Sequence, residues 1–213
     1  MIRSQSGVTL ISLLIGLLIS MLCMIGLLST YRTVAKTGAE SRIDATHDTQ
    51  LQNGLTASQM MIQNAGFGLD GGTNLEVATI SIGTATNVSA LLWRYKEGGM
   101  VSCQGLADIP DASKRKLVTL TVGTGCNDTA ALDTLTWTTE NTLAHLTDYS
   151  SGGTNPQQIT FAKTLSNCTP FGSAISENVV SHPLVTITAK TSTQNIAGLD
   201  AIEVPVCILN ITT

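Results

Sequence analysis

Charged and aromatic residues are both scarce in this chain of 213 residues. Asp, Glu, Lys and Arg make up 12% of the chain and Phe, Trp and Tyr only 4%, which excludes a core built mainly on aromatic packing. The 11 basic residues are outnumbered by 15 acidic ones. This disfavours a dedicated nucleic-acid-binding protein, because such proteins carry a basic excess. The hydrophobic fraction of 43% is too high for a chain that is disordered throughout.

Proline is absent before Pro110, so no proline interrupts a long helix in the first half of the chain. Charge is absent from Ser4 to Tyr31, and 16 of the 21 residues in Val8–Leu28 are Val, Ile, Leu, Met or Cys. A helix of about 20 apolar residues crosses a bilayer. The run therefore predicts a retained membrane helix. The alternative is a cleaved secretory signal, whose apolar region is shorter, about 7–15 residues.

Beyond the membrane run the pattern remains helical but becomes amphipathic. The apolar positions recur mostly at helical spacing; they are Tyr31, Val34, Ala35, Ala39, Ile43, Leu51, Leu55 and Ile62, with Ser58 as the weakest position on that face. Four closely spaced glycines then end the pattern: Gly66, Gly68, Gly71 and Gly72. We expect one helix from about Ser4 to Ala65, roughly 90 Å long.

After Gly72 the periodicity changes to two, and Thr, Val and Ile become frequent, as is typical of strands. The predicted strands are Glu76–Ile82, Ala90–Tyr95, Leu117–Val122, Leu132–Thr138, Gln158–Ala162, Leu184–Lys190 and Ile202–Ile211. Pro205 makes the last of them an edge strand or an interrupted one. The predicted fold class is α+β: a long N-terminal helix, membrane-spanning in its first half, packed on an antiparallel β-sheet.

The cysteines and the basic residues point to opposite orientations in the membrane. Besides Cys23 in the membrane run, there is an even set of four: Cys103, Cys126, Cys168 and Cys207. They lie in no Cys-x-x-Cys pair, so two disulfides in an oxidising compartment are favoured over zinc. Basic residues are more frequent after the run than before it, which by charge alone places the C-terminal part in the cytoplasm. We give the cysteines more weight.

The segment Gln5-Ser6-Gly7-Val8-Thr9-Leu10-Ile11-Ser12-Leu13-Leu14 joins a short polar leader directly to the apolar run. It resembles the class III signal of type IV prepilins and pseudopilins. The resemblance implies that the prepilin peptidase cuts between Gly7 and Val8 and that Val8 is then N-methylated. The family usually has Phe where this chain has Val8.

The family usually has Glu where this chain has Ser12. In the family that carboxylate pairs, within an apolar layer, with the amine of a neighbouring subunit. Ser12 supplies no charge, and its hydroxyl can bond back to a helix carbonyl. Because some tip pseudopilins also lack the Glu, Ser12 suggests a subunit at the filament tip or in the initiation complex; simple tolerance in a scarce shaft subunit is the alternative.

Two further segments carry the resemblance. Met60-Met61-Ile62-Gln63-Asn64-Ala65-Gly66-Phe67-Gly68 is similar to the helix-to-sheet junction of PilW-type minor pilins, with Gln63 in place of the usual Arg and Phe67 in place of Tyr. Leu132-Asp133-Thr134-Leu135-Thr136-Trp137 resembles a strand of the same group. The resemblance covers residues 1–72 well and the remainder thinly.

The resemblance implies a leader at 1–7, a transmembrane or filament-core helix at 8–30, its amphipathic continuation at 31–66 and a β-rich exported domain at 67–213. It implies a minor pilin that helps initiate or cap a type IV pilus; the alternatives are a type II secretion pseudopilin and a membrane-tethered adhesin or DNA-uptake module. The implied location is the bacterial inner membrane, single-pass with the C-terminal domain periplasmic, and then the pilus at the cell surface.

The implied partners are the prepilin peptidase, other minor and major pilins, the inner-membrane assembly machinery and, before assembly, the lipid bilayer; no nucleic acid is expected. Of the pairings open to the four cysteines, we prefer Cys103–Cys126 and Cys168–Cys207. They close sequential loops, and Cys168–Cys207 resembles the family's C-terminal disulfide loop.

Several motifs that resemble chemical sites have simpler interpretations. Gly66–Gly71 matches G-x-G-x-x-G, but a dinucleotide site needs a strand before it and a helix after it. The histidines share no motif, so we expect no enzyme, no metal and no cofactor. Asp108 and Asp111, with the basic run Lys114–Lys116, are interpreted as a solvated loop, with a calcium loop or a DNA-contacting patch as the alternatives. Trp93 and Trp137 are interpreted as packing residues within strands.

Overall fold

The computed structural model describes residues 9–149, 155–168, 181–193, 198–199 and 201–211. Helix α1 is continuous over Leu10–Ile62. Its N-terminus is capped by Thr9, whose hydroxyl oxygen accepts the backbone N–H of Ser12 at 3.4 Å. The predicted start near Ser4 lies outside the described residues, and the predicted end is three residues too late.

The chain divides into two compact units, Met1–Ala45 and Thr46–Thr213. In the first unit, every described residue from Thr9 to Ile43 is exposed. In the second, the remaining part of α1 buries one face, formed by His47, Leu51, Gly54, Leu55, Ser58 and Ile62. Of the predicted stripe, Leu51, Leu55 and Ile62 are confirmed as part of the packing face, whereas its earlier positions from Tyr31 to Ile43 are exposed. Ser58 lies on the packing face because its hydroxyl donates to the Gly54 carbonyl at 2.8 Å.

Among the described residues of the second unit there are two antiparallel sheets, where the sequence predicted a single sheet. The five-stranded sheet is a meander whose neighbours follow chain order: β1 (Leu75–Ile82), β2 (Ala85–Glu97), β3 (Met100–Asp111), β4 (Lys114–Val122) and β5 (Trp137–Leu146). The three-stranded sheet consists of β6 (Ile159–Ser166), β7 (His182–Ala189) and β8 (Ile202–Cys207). The α+β class is confirmed, and β8 is an edge strand, as Pro205 predicted.

The buried face of α1 and both sheets share one apolar core. Leu51, Leu55 and Ile62 pack in it with residues of the five-stranded sheet, such as Trp93, and of the three-stranded sheet, such as Ile187. Each fully buried side chain of this size contributes about 1.5–3 kcal/mol. The cluster therefore joins α1 to both sheets.

A second core covers the opposite face of the five-stranded sheet. It is closed by the connection between β4 and β5, from which Leu132 and Trp137 insert into the cluster. The indole N–H of Trp137 donates to the Leu132 carbonyl at 2.8 Å. The predicted strand Leu132–Thr138 is therefore wrong for most of its length: Leu132–Thr134 is a short 3-10 turn, and β5 begins only at Trp137.

This connection is fixed to the sheet by Arg94 on β2. Its side chain is 2% exposed and donates to the carbonyls of Asn127 at 2.7 Å and Ala130 at 2.5 Å. Burial lowers the pKa of Arg94, while Asp128 and Glu76 act in the opposite direction. The guanidinium thus replaces the hydrogen bonds that these carbonyls otherwise make with water.

The two disulfides are Cys103–Cys126 and Cys168–Cys207, each with Cα atoms 5.8 Å apart. This is the pairing that the sequence analysis preferred. The first joins β3 to the connection that covers the second core, and the second joins the segment after β6 to β8. Cys23 is free and exposed.

We expect the double substitution Cys103→Ala, Cys126→Ala to destabilise the second unit by about 3 kcal/mol, because the bridge closes a loop that the unfolded chain otherwise explores. Alanine is preferred to serine because Cys103 is buried in the apolar cluster. The measurement is urea unfolding of the full chain in detergent. Cys23→Ala leaves both bridges intact and serves as the control; an equal, small loss in both variants would contradict the expectation.

Candidate assembly helix and its attachment to the sheets

The N-terminal part of α1 exposes an unusual amount of apolar surface. From Leu10 to Leu28 the large hydrophobic side chains are between 55% and 77% exposed. α1 is long and apolar enough to cross a membrane, and none of its most apolar window is buried within the protein. Because exposed apolar area of this extent is unfavourable in water, this part of α1 is a candidate membrane span.

Ser12 lies in the first turn of α1, which contains no acidic residue. Its hydroxyl forms a hydrogen bond with the Thr9 hydroxyl at 2.9 Å. The capping position of Thr9 brings the two hydroxyls together. The predicted cleavage residues, Gly7 and Val8, lie outside the described residues.

The helix-to-sheet junction is formed by close approach of two backbones. The N–H of Gly66 donates to the Arg94 carbonyl at 2.8 Å, and the N–H of Lys96 donates to the Phe67 carbonyl at 2.7 Å. Gly66 and Gly68 have φ of 77° and 68°, a region that glycine adopts without strain. The junction segment thus pairs with β2 immediately after α1 ends.

The glycine-rich segment Gly66–Gly71 follows a helix and precedes strand β1. The dinucleotide-binding fingerprint has the opposite order. The interpretation of these glycines as a helix-ending turn is confirmed by their backbone conformations and by their pairing with β2.

Three neighbouring helix residues attach α1 to the strands beside it. His47 Nδ1 accepts the N–H of Thr147 at 3.1 Å, and Gln50 Oε1 accepts the N–H of His145 at 3.3 Å. The His145 N–H lies on the outer edge of β5, and the Thr147 N–H lies just beyond the end of that strand. On another side, Asp48 accepts the N–H and hydroxyl of Ser192 at 2.9 and 2.6 Å. Sequence reasoning missed this set, because each residue resembles an ordinary polar position on an amphipathic helix.

The three histidines occupy different elements. His47 is buried on α1, His145 is exposed on β5, and the ring of His182, on β7, is hydrogen-bonded with the Ile211 carbonyl at 2.9 Å. Within the described residues, no group of three His, Cys, Asp or Glu side chains is placed to hold a metal ion.

The interpretation of Asp108 and Arg115 as parts of a solvated loop is wrong. Asp108 is 0% exposed and Arg115 is 8% exposed. They contact each other diagonally across the β3–β4 hairpin, with Arg115 Nε 2.7 Å from Asp108 Oδ1. Only the outer pair, Asp111 and Lys116, behaves as predicted, with a partly exposed 3.7 Å contact. Alternation along the two strands puts the first pair inside. Trp93 and Trp137 are buried, as predicted.

Comparison with known proteins gives no relative: no family model, no curated protein and no solved structure matches the chain.

Proposed function

We propose that this protein is a minor pilin, a structural subunit that helps to initiate or cap a type IV pilus. The observation that carries the proposal is the exposed apolar stretch of α1, continuous with a helix that is buried on a disulfide-bonded α+β domain. A membrane anchor alone needs the first feature. A filament subunit needs both, because one helix must serve as the anchor and as part of the folded domain.

The apolar stretch fits two environments in succession. In the bilayer, its exposed leucines and isoleucines contact lipid, and its backbone groups are satisfied within the helix. In a filament core, neighbouring copies of such helices replace the lipid with apolar protein surface. The transfer is feasible because no charged residue between Ser4 and Tyr31 must be buried or paired.

The disulfides support export of the second unit. Cys103–Cys126 and Cys168–Cys207 favour an oxidising compartment, since cytosolic thiols are kept reduced. We therefore place this unit in the periplasm and then on the pilus, with α1 in the inner membrane before assembly. The proposed partners are the prepilin peptidase, other pilins and the assembly machinery.

Ser12 supports a position at the filament tip. Its hydroxyl is paired with Thr9 in the same helix, so it makes no demand on a neighbouring subunit and offers no carboxylate to a neighbour's amine. In the filament shaft, the amine of a neighbouring subunit would be left unpaired in the apolar core, which is costly. A subunit that nothing precedes in the filament has no such neighbour, so it needs no carboxylate in place of Ser12.

Processing tests the proposal directly. We expect the protein from its host to begin at Val8 and to carry one methyl group there, and to retain residues 1–7 when the prepilin peptidase is deleted. Gly7→Glu is expected to abolish the cut, because a bulky charged residue replaces glycine at the scissile bond. Intact-mass spectrometry measures all three outcomes.

Ser4→Glu is the matched control, since it adds the same charge elsewhere in the leader and is expected to leave the cut intact. A mature N-terminus at any other residue would overturn the assignment as a prepilin.

Deletion of the protein separates the alternative functions. Loss of pili supports the pilus subunit, loss of secretion alone supports a pseudopilin, and intact pili with lost adhesion or DNA uptake supports a binding module.

A further inference from the structure

We propose that the pocket between the β1–β2 turn and the start of β4 binds a small acidic sugar, whose carboxylate is held by Arg115. The inference goes beyond the proposed function, because a structural pilus subunit needs no small-molecule ligand. The pocket has a volume of about 420 Å³, within the usual range of about 300–1,000 Å³ for ligand sites. Among the described residues that line it, Arg115 is the one cation and none is acidic.

Arg115 has hydrogen-bond donors to spare. Its guanidinium carries five N–H groups, and the protein accepts three of them. Nε donates to Asp108 Oδ1 and Nη2 to the Asp108 carbonyl, both at 2.7 Å, and Nη1 donates to the Asn155 carbonyl at 3.0 Å. One N–H on each Nη therefore has no acceptor within the described part of the chain. Two donors on one planar guanidinium match the two oxygens of a carboxylate.

The carboxylate of Asp108 does not face the pocket. Asp108 is 0% exposed and is not part of the lining. Its Oδ1 accepts Arg115 Nε, and its Oδ2 accepts the backbone N–H groups of Gln158 and Ile159. An incoming carboxylate therefore meets the remaining N–H donors of a charged guanidinium. Such charge-assisted hydrogen bonds are about twice as strong as neutral ones, which favours a carboxylate over an uncharged group at this position.

The uncharged polar side chains of the pocket suit the hydroxyl groups of a sugar. Gln157 Nε2 donates to the Ser89 carbonyl at 3.1 Å, which orients the amide and leaves Oε1 as an acceptor. The side chains of Thr84, Thr86 and Asn87 line the pocket and make no hydrogen bond within the residues that the structure describes. Hydroxyl and amide groups both donate and accept. One ligand that uses them together with the guanidinium carries hydroxyls and a carboxylate.

The test titrates glucuronate into the full chain in detergent and follows the backbone amide NMR signals of residues 84–88. Glucose, in which a hydroxymethyl group replaces the carboxylate, is expected to bind about tenfold or more weakly, because it makes no charge-assisted bond. Acetate, which has the carboxylate without the hydroxyls, is also expected to bind more weakly. Glucuronate that causes no saturable shifts in residues 84–88, or that binds no better than glucose or acetate, would overturn the proposal.

Asn87→Asp tests the site without breaking the buried pair of Arg115 and Asp108. It adds a carboxylate to the pocket wall, and aspartate tolerates the φ of 56° at this position. We expect glucuronate to bind about tenfold or more weakly, because like charges then face each other, and glucose to be little affected. Asn53→Asp adds the same charge at an exposed position of α1 and should keep the wild-type affinity.

An equal effect of the two aspartate variants on glucuronate binding would contradict the site. If Asn87→Asp does not fold, Thr86→Tyr replaces it. This substitution places a bulky side chain at an exposed lining position of β2, and it should abolish the glucuronate-induced shifts. Unchanged glucuronate affinity in Thr86→Tyr would show that the sugar binds elsewhere.

Discussion

Asp108→Ala is expected to destabilise the second unit by about 3–5 kcal/mol, the range for breaking a buried ion pair from one side. The substitution removes the partner of Arg115 Nε, which lies 2.7 Å from Asp108 Oδ1. It also removes the acceptor of two backbone N–H groups, those of Gln158 at 2.5 Å and Ile159 at 3.0 Å. These two residues lead into β6. Asp108 therefore connects the five-stranded sheet with the three-stranded one.

The loss should greatly exceed the value of the charge pair itself, because alanine leaves a buried guanidinium and two buried N–H groups without their acceptor. Burial raises the pKa of Asp108, while Arg115 and the two N–H groups lower it. Asp108→Asn keeps the side-chain volume and one acceptor oxygen, although its NH2 group then faces the other donors. It is therefore expected to lose stability, but less than Asp108→Ala.

Asp111, in the same β3–β4 hairpin, provides the control for Asp108→Ala. This carboxylate lies 3.7 Å from Lys116, with side chains 45% and 28% exposed, and exposed pairs contribute only about 0–1 kcal/mol. Asp111→Ala should therefore change the urea midpoint little. Equal midpoints for Asp108→Ala and Asp111→Ala would show that the buried pair does not join the two sheets.

The features that sequence predicted correctly are those in which one local pattern decides the structure. The apolar face of Leu51, Leu55 and Ile62 follows from helical spacing alone. The position of β8 at a sheet edge follows from Pro205, which has no N–H to give to a second neighbour. The sequential disulfide pairing follows from the preference for closing sequential loops, although neither bridge joins two neighbouring strands.

The features that sequence missed depend on contacts between distant segments. Strand β3 has no recognisable alternation, because it contains Gly105, Asp108 and Pro110. A Cβ at Gly105 would lie 3.0 Å from the Leu91 carbonyl and 2.9 Å from Leu92 Cδ2, so glycine is required by the neighbouring strand. Asp108 resembles a solvated residue until β4 places Arg115 beside it. The attachment of α1 through His47, Asp48 and Gln50 likewise exists only once β5 and Ser192 are in place.

Gly66→Val is expected to destabilise the second unit by about 4–6 kcal/mol and to loosen the junction between α1 and β2. Gly66 has φ of 77°, and a non-glycine residue held there costs about 1–3 kcal/mol. A side chain at this position would also overlap Ile211 and lie 3.2 Å from the Asn210 carbonyl. Forced overpacking of this kind costs about 1–3 kcal/mol or more. Because valine is β-branched, we expect both the strain and the overpacking cost to lie near the upper limits of these ranges.

Gly66→Val should also disturb the C-terminal segment, because that segment packs on the junction between α1 and β2. Ile211 is 1% exposed, and Asn210 Nδ2 donates to the Gln63 carbonyl at 2.7 Å. Displacing Ile211 to admit valine should therefore weaken the bond that closes the last turn after α1. In amide exchange, the Gly66 and Lys96 N–H groups, which join the junction to β2, should lose protection before the centre of the sheet does.

Gly83→Val separates backbone strain from steric overlap. Gly83 also has a positive φ, 58°, but a Cβ there meets nothing within 4 Å. Gly83→Val should lose only the stability that the backbone strain costs, about 1–3 kcal/mol. It should leave the amide-exchange protection of Gly66 and Lys96 unchanged. The difference between the two variants measures how closely the C-terminal segment packs on the end of α1. If both lose the same stability, Ile211 does not restrict this position, and the glycine is required only for its backbone conformation.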